Sequence, residues 1–157
     1  EPYTIETRGG VRPQVFLLSD YGYPSYAAMV LAQNRMIEQQ PEIVQAFVNA
    51  SIEGWRSYIY GDPTPGNQLI LQANPDMTQD VIDQAIEQIR ERGMVLAPDT
   101  QADPGKVSGR MGTMNEARWQ SFFTTMSENG VYPKDLDWRA AFTTRFIDSH
   151  PPTGAPQ

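Results

Sequence analysis

Asp20, Tyr21, Tyr23 and Tyr26 lie together in the stretch SDYGYPSY. Phenol rings supply flat faces with a hydroxyl at the edge, and a carboxylate supplies an acceptor or a counter-charge. Those are the parts from which a pocket for a small polar or heteroaromatic molecule is built. The stretch follows the apolar run VFLL, Val15 to Leu18. A run of that kind, bounded by Pro13 and Asp20, predicts a strand buried on both faces. Open α/β sheets place their ligands beyond the carboxyl ends of such strands. A turn whose tyrosines merely pack is the other reading, and side-chain chemistry alone leaves both open.

Elsewhere the chain offers little chemistry. It has no cysteine, which excludes disulfides, thiolate metal sites and cysteine nucleophiles. Its single histidine, His150, stands in the Pro-rich end HPPTGAPQ, without a partner to orient it as a base. Gly61 and Gly66 have the spacing of a phosphate-binding loop, but Asn67 occupies the position of the required Lys. Pro63 and Pro65 also remove backbone donors, so GDPTPG is expected to be a turn between helices. Asp135 and Asp137 are close enough to suggest calcium, yet the Gly and Glu of a calcium loop are missing, and helix capping explains them better. Trp55, Trp119, Phe122, Phe123 and Trp138 fall at core spacings. No catalytic constellation emerges, so the expectation is a protein that is not an enzyme and needs no cofactor or metal.

These residues must be positioned by one domain, since 157 residues suffice for a core but not for two ordinary domains. A net charge of −7, with twelve Lys and Arg scattered along the chain, argues against a nucleic-acid surface. No apolar run approaches the roughly 18 residues that span a bilayer. Thirteen Pro and twelve Gly predict many loops. The start at Glu1, without Met or an apolar leader, suggests a processed or cut chain.

Tyr3 and Ile5 are compatible with a short strand, and residues 26–33 fit either helix or strand by propensity. From Pro41 the pattern is clearer. Val44, Phe47, Val48, Ile52, Trp55 and Ile59 make one apolar helical stripe that Gly61 stops, and a shorter helix follows over 67–73. Thr78 is positioned to cap a helix whose buried face is Val81, Ile82, Ala85, Ile86 and Ile89, ended by Gly93. Met94 to Leu96 suit a short strand, and 97–112 a long loop. Thr113 and Glu116 form a capping-box pattern before a helix carrying Met114, Ala117, Phe122 and Met126 inward, with Trp119 and Phe123 beside them. Gly130 ends that helix, and Asp137 is placed to cap a last short one through Phe142. Residues 149–157 are expected to be a disordered tail.

The run VFLLSDYGYPSYAAMVLAQNRMIEQQPEIVQAFVNASIEGW resembles solute-binding proteins of ABC importers, in the branch that binds thiamine-precursor pyrimidines, nitrate, taurine and sulfonates. The matching positions are Asp20, Tyr21, Gly22, Pro24, Asn34, Pro41, Glu42, Val44, Ala46, Phe47, Val48, Ala50, Gly54 and Trp55. The segments NPDMTQDVIDQAIE and ARWQSFFTTMSENGVYPKDLDWRAAFTTRFI resemble later helices of the same branch. The resemblance implies an α/β fold, the periplasmic binding protein fold of the second type, of which residues 1–148 would be the C-terminal half. It makes 26–33 a strand. It also implies a periplasmic or other extracytoplasmic location, and a small-molecule solute held by Asp20, Tyr21, Tyr23 and Tyr26. Delivery would be to an ABC permease of the inner membrane. An acidic residue at the site favours a pyrimidine-like or cationic heterocycle over nitrate or a sulfonate. The pyrimidine-synthesising enzymes that share this fold use an active-site His and a Cys-rich motif, which this chain does not match. With only half a clamp, self-association is expected to cover open strand edges. A non-transport sensing or interaction domain is the alternative function.

Overall fold

The computed structural model describes residues 2–96 and 111–148. Its longest element is α3, Pro41–Tyr60, preceded by α1, Pro2–Gly9, and α2, Asn34–Gln39. It is followed by α4, Thr64–Ala73, α5, Gln79–Glu91, α6, Glu116–Glu128, and the single turn α7, Arg145–Asp148. Short 3-10 turns occupy Leu18–Tyr21 and Trp138–Ala141.

Pro41 stands in the first turn of α3, where its missing N–H costs nothing, and Glu42 faces the positive helix end. The core lies where α3 meets α5. Ile59 is fully buried there with Ile82 and Ile86, and Tyr58, Tyr60, Ile70, Leu71, Met77 and Ile89 pack around them. Arg90 Nε donates to the Ile59 carbonyl, tying the two helices together. Gly66 allows α4 to close on α3, since a Cβ there would stand 2.7 Å from the Tyr58 ring. The Tyr58 hydroxyl then donates to Oδ1 of buried Asn67 at 2.8 Å. The GxxxxG spacing is thus explained by packing between helices.

At its other end α3 is held by α7. Val44 and Phe146 are buried, and Gln45 Nε2 donates to the Phe146 carbonyl at 2.6 Å. Between these two grips the stripe is less covered than its periodicity predicts. Val48 and Ile52 are half-buried, whereas Phe47 is 59% and Trp55 47% exposed. Val44 and Ile59 keep the expected phase at the two ends, whereas Phe47 and Trp55 of the same stripe are on open surface.

The α5 boundaries follow the sequence. The helix starts after Thr78, although the Thr78 side chain makes no cap bond, and Gly93 at φ 58° turns the chain away. The start of α6 differs from the capping-box expectation. Asn115 is the cap, its Oδ1 accepting from the Arg118 amide at 3.2 Å, while the Thr113 hydroxyl is enclosed without a partner. Asn is at least as good a cap as Thr, and starting after it places Arg118 in the first turn. Gly130, at φ 71°, ends the helix as expected.

The strand expectations are not met, and the described residues do not confirm the α/β class. No strand forms among the described residues. Tyr3 and Ile5 lie in α1, Met94 to Leu96 in a turn, and Leu18 opens a 3-10 turn. Val15, Phe16, Leu17 and Leu18 are between 41% and 67% exposed. Residues 28–33 have no regular structure and Leu31 is 97% exposed. The reason is physical: a helix closes its hydrogen bonds within itself, whereas a strand exists only against a neighbour. Residues 97–110 and the tail 149–157 lie outside the described residues.

Candidate functional site

The tyrosine turn is folded by local bonds and docked by distant ones. The Asp20 amide donates to the Leu17 carbonyl and the Tyr23 amide to the Leu18 carbonyl, each at 3.0 Å. Between them Gly22 takes φ 87°, a left-handed conformation that a side chain would strain. This reversal brings Asp20 and Tyr21 to the tip. Ser19 Oγ donates to Asp20 Oδ1 at 3.3 Å. Tyr21 is 70% exposed and its ring lies 6.0 Å from that of Phe16.

Tyr23 and Tyr26 point the other way, onto α6. The Tyr23 ring meets Phe122 edge-on at 5.3 Å, and Phe122 in turn meets Tyr132 at 6.3 Å. Tyr26 lies 6.0 Å from Trp119 and accepts at its hydroxyl from the Asn115 amide at 2.7 Å. Trp119 stacks on Phe142 with centroids 4.9 Å apart, Phe142 is parallel to Trp138, and Trp138 stacks on Phe123. Of the aromatic residues with core spacing in the sequence, Trp119, Phe123 and Trp138 thus join Phe142 and the half-buried Tyr26 in one row, Phe122 pairs with Tyr23 and Tyr132, and Trp55 lies apart on α3. Trp138, between Phe142 and Phe123, is the buried member of the row, with the Arg139 guanidinium 4.3 Å above the ring.

Arg118 makes the strongest attachments. Its Nε donates to the Pro24 carbonyl at 2.9 Å, its Nη2 to the Ser25 carbonyl at 2.8 Å, and its guanidinium covers the Tyr26 ring at 4.4 Å. Thr125 Oγ1 donates to the Gly22 carbonyl at 3.3 Å. Neither residue stands out in the sequence, because a lone Arg or Thr on a helix is ordinarily solvated and their partners are more than ninety positions away. The four residues expected at the site thus divide. Asp20 and Tyr21 are exposed at one tip, whereas Tyr23 and Tyr26 support the tip from beneath.

The tip can offer a carboxylate, a phenol and, beside them, the exposed apolar side chains of Phe16 and Leu18. That combination recognises a flat ring bearing N–H donors, through stacking and hydrogen bonds to the carboxylate. Among the described residues no group of three or more acidic or His side chains is gathered to hold a metal ion. No helix among them is long and apolar enough to cross a membrane.

A groove of about 680 Å³ lies elsewhere, between α1, α5 and the turn before α4. Ile86 and Pro63 line it together with Tyr3, Asp83, Glu87, Arg90 and Glu91. The Tyr3 hydroxyl donates to Asp80 Oδ2 at 2.9 Å. That bond raises the Tyr3 pKa, and side-chain hydrogen bonds with Thr78 and then Tyr3 hold Asp80 below its ordinary value.

Residues 1–65 match the family described as NMT1/THI5 like. The match covers under half of the chain and includes the whole tyrosine turn and α3. The likeness of that segment is to a solute-binding family. No curated protein and no solved structure matches the chain.

Proposed function

We propose that the protein is the solute-binding component of an ABC importer, capturing a small polar or heteroaromatic molecule outside the cytoplasm and delivering it to a membrane permease. The described chain corresponds in this reading to the C-terminal half of a two-lobed clamp, and its role is binding rather than catalysis. Asp20 and Tyr21 are the solute contacts, and Tyr23 and Tyr26 are their support. The observation that carries the reading is the exposed Asp20–Tyr21 tip inside the segment that matches a solute-binding family. An anionic acceptor beside a phenol favours a pyrimidine-like or cationic heterocycle over nitrate or a sulfonate, because like charges at a desolvated contact repel.

The test is direct. The natural full-length protein is purified gently and denatured, and the released small molecules are identified by mass spectrometry. One heterocyclic solute present in stoichiometric amount is expected. A protein that releases no small molecule, and binds none of the candidate heterocycles when they are added back, contradicts the reading.

The exposed apolar residues Val15 to Leu18 and Met29 to Leu31 favour a second reading, an interaction domain that covers them by self-association. Sedimentation of the chain at micromolar concentration tests this second reading, since a lone compact monomer removes it.

A further inference from the structure

We propose that Arg118 is the positioning residue of this site, clamping residues 22–26 onto α6 with the help of Thr125 so that Asp20 and Tyr21 are presented in one orientation. The proposal rests on the solute-site reading and names the groups that hold that site in shape.

The geometry is specific to a guanidinium. Nε and Nη2 lie on one edge of a rigid planar fork, so two carbonyls bound to them are fixed relative to each other. Those carbonyls belong to the adjacent residues Pro24 and Ser25, at 2.9 and 2.8 Å. The Tyr26 ring lies against the face of the same group at 4.4 Å, so one side chain engages three consecutive residues. Thr125 stands seven positions further along α6, about 10.5 Å by helical rise and on nearly the same face. There it holds the Gly22 carbonyl. The clamp therefore grips both ends of the segment. By contrast, the contacts of the tip are local, Ser19 with Asp20 and Phe16 with Tyr21. The tip inherits its direction from residues 22–26 through Gly22, the most permissive backbone position in the turn.

Releasing the clamp would leave the tip able to adopt several orientations. Apparent affinity falls in proportion to the fraction still competent, so a fraction of about one tenth gives about a tenfold loss. The loss should appear in the association rate, because a molecule bound to the competent form makes its usual contacts and leaves at its usual rate.

The experiment compares the full-length protein with its Arg118→Ala, Arg118→Lys and Thr125→Val variants. Backbone amide exchange is followed over residues 19–26 and at Asn115, and association and dissociation rates are measured with 4-aminopyrimidine as the probe. Arg118→Ala should speed exchange in the turn and at Asn115 about tenfold and slow association about tenfold, leaving dissociation and helix content unchanged. An ammonium group cannot reproduce the fork, so Arg118→Lys should restore only part of both effects, and Thr125→Val should show a smaller change in the same direction. Exchange in the turn that is unchanged in Arg118→Ala overturns the clamp. So does faster exchange with wild-type association. Were Arg118→Ala to lose its helix signal, Thr125→Val would decide by the same criteria. Should the wild type bind no heterocycle at all, the solute reading fails, while the exchange rates still decide whether Arg118 orders the turn.

Discussion

Residues 44–89 and residues 11–33 are both rich in apolar side chains, but only the first set contains fully buried ones. In the first, Val44, Ile59, Ile82 and Ile86 are each no more than 6% exposed. In the second, Phe16, Leu18, Val30 and Leu31 are each more than half exposed. The difference lies in what each backbone needs. Helices α3, α4 and α5 satisfy their own N–H and C=O groups, so their apolar faces are free to find one another. The extended residues need another strand before they can bury anything, and none is present among the described residues. Apolar composition therefore signals burial only where the backbone is already satisfied.

The largest effect expected from this contrast is at Ile59. Ile59→Ala removes a side chain with no exposed surface, and denaturant unfolding should show a loss of about 2–5 kcal/mol. Leu31→Ala, at 97% exposure, should change stability by less than about 0.5 kcal/mol. Phe47→Ala sharpens the same contrast within one helix. Its place in the apolar stripe predicts a core-sized loss, whereas its 59% exposure predicts less than about half of that. Equal losses at Ile59 and Leu31 would break the comparison.

Two glycines give the next test. Gly54 is inside α3, where an added Cβ would meet nothing within 4 Å, whereas at Gly66 the Tyr58 ring is 2.7 Å away. Gly54→Ala should stabilise the protein by about 0.5–1 kcal/mol through helix propensity. Gly66→Ala should destabilise it by about 1–3 kcal/mol, because the Tyr58 ring must leave Asn67. Thermal melts of the two variants should move in opposite directions.

The smallest effect concerns the tie between α1 and α5. Asp80 is held below its ordinary pKa, so its contribution is present above the ordinary carboxylate range and lost as pH falls through its lowered folded value. The Tyr3 phenol is raised, so its contribution is present below the ordinary phenol value and lost as pH rises through the raised one. Tyr3→Phe should move the Asp80 carboxyl titration, followed by NMR, upward but not to the ordinary value, since the Thr78 bond remains. No movement would mean that the bond is not made in solution.

The legible parts of the fold were those punctuated locally. Pro41, Gly93 and Gly130 mark helix boundaries that the structure keeps, and Ile82 and Ile86 are buried on the expected α5 face, although Ala85 of that face is exposed. The 3-10 turn over Leu18–Tyr21 was hidden because VFLL carries the same side chains whether or not a neighbouring strand exists. At the site, Asp20 and the three tyrosines were visible as chemistry, but their division into tip and support was not. That division depends on Arg118 and Thr125, whose bonds reach back more than ninety residues and leave no mark on local spacing.

In the proposed function, Asp20 and Tyr21 contact the solute. The most direct measurement is calorimetric titration of the full-length protein and its Asp20→Ala and Tyr21→Ala variants with the molecule released from the wild type. Loss of a charge-assisted hydrogen bond from Asp20 should weaken binding about 10- to 100-fold. Loss of the Tyr21 ring should weaken it about tenfold, with the helical signal unchanged in both variants. Wild-type affinity in both variants would contradict the account and leave the tyrosine turn as scaffold.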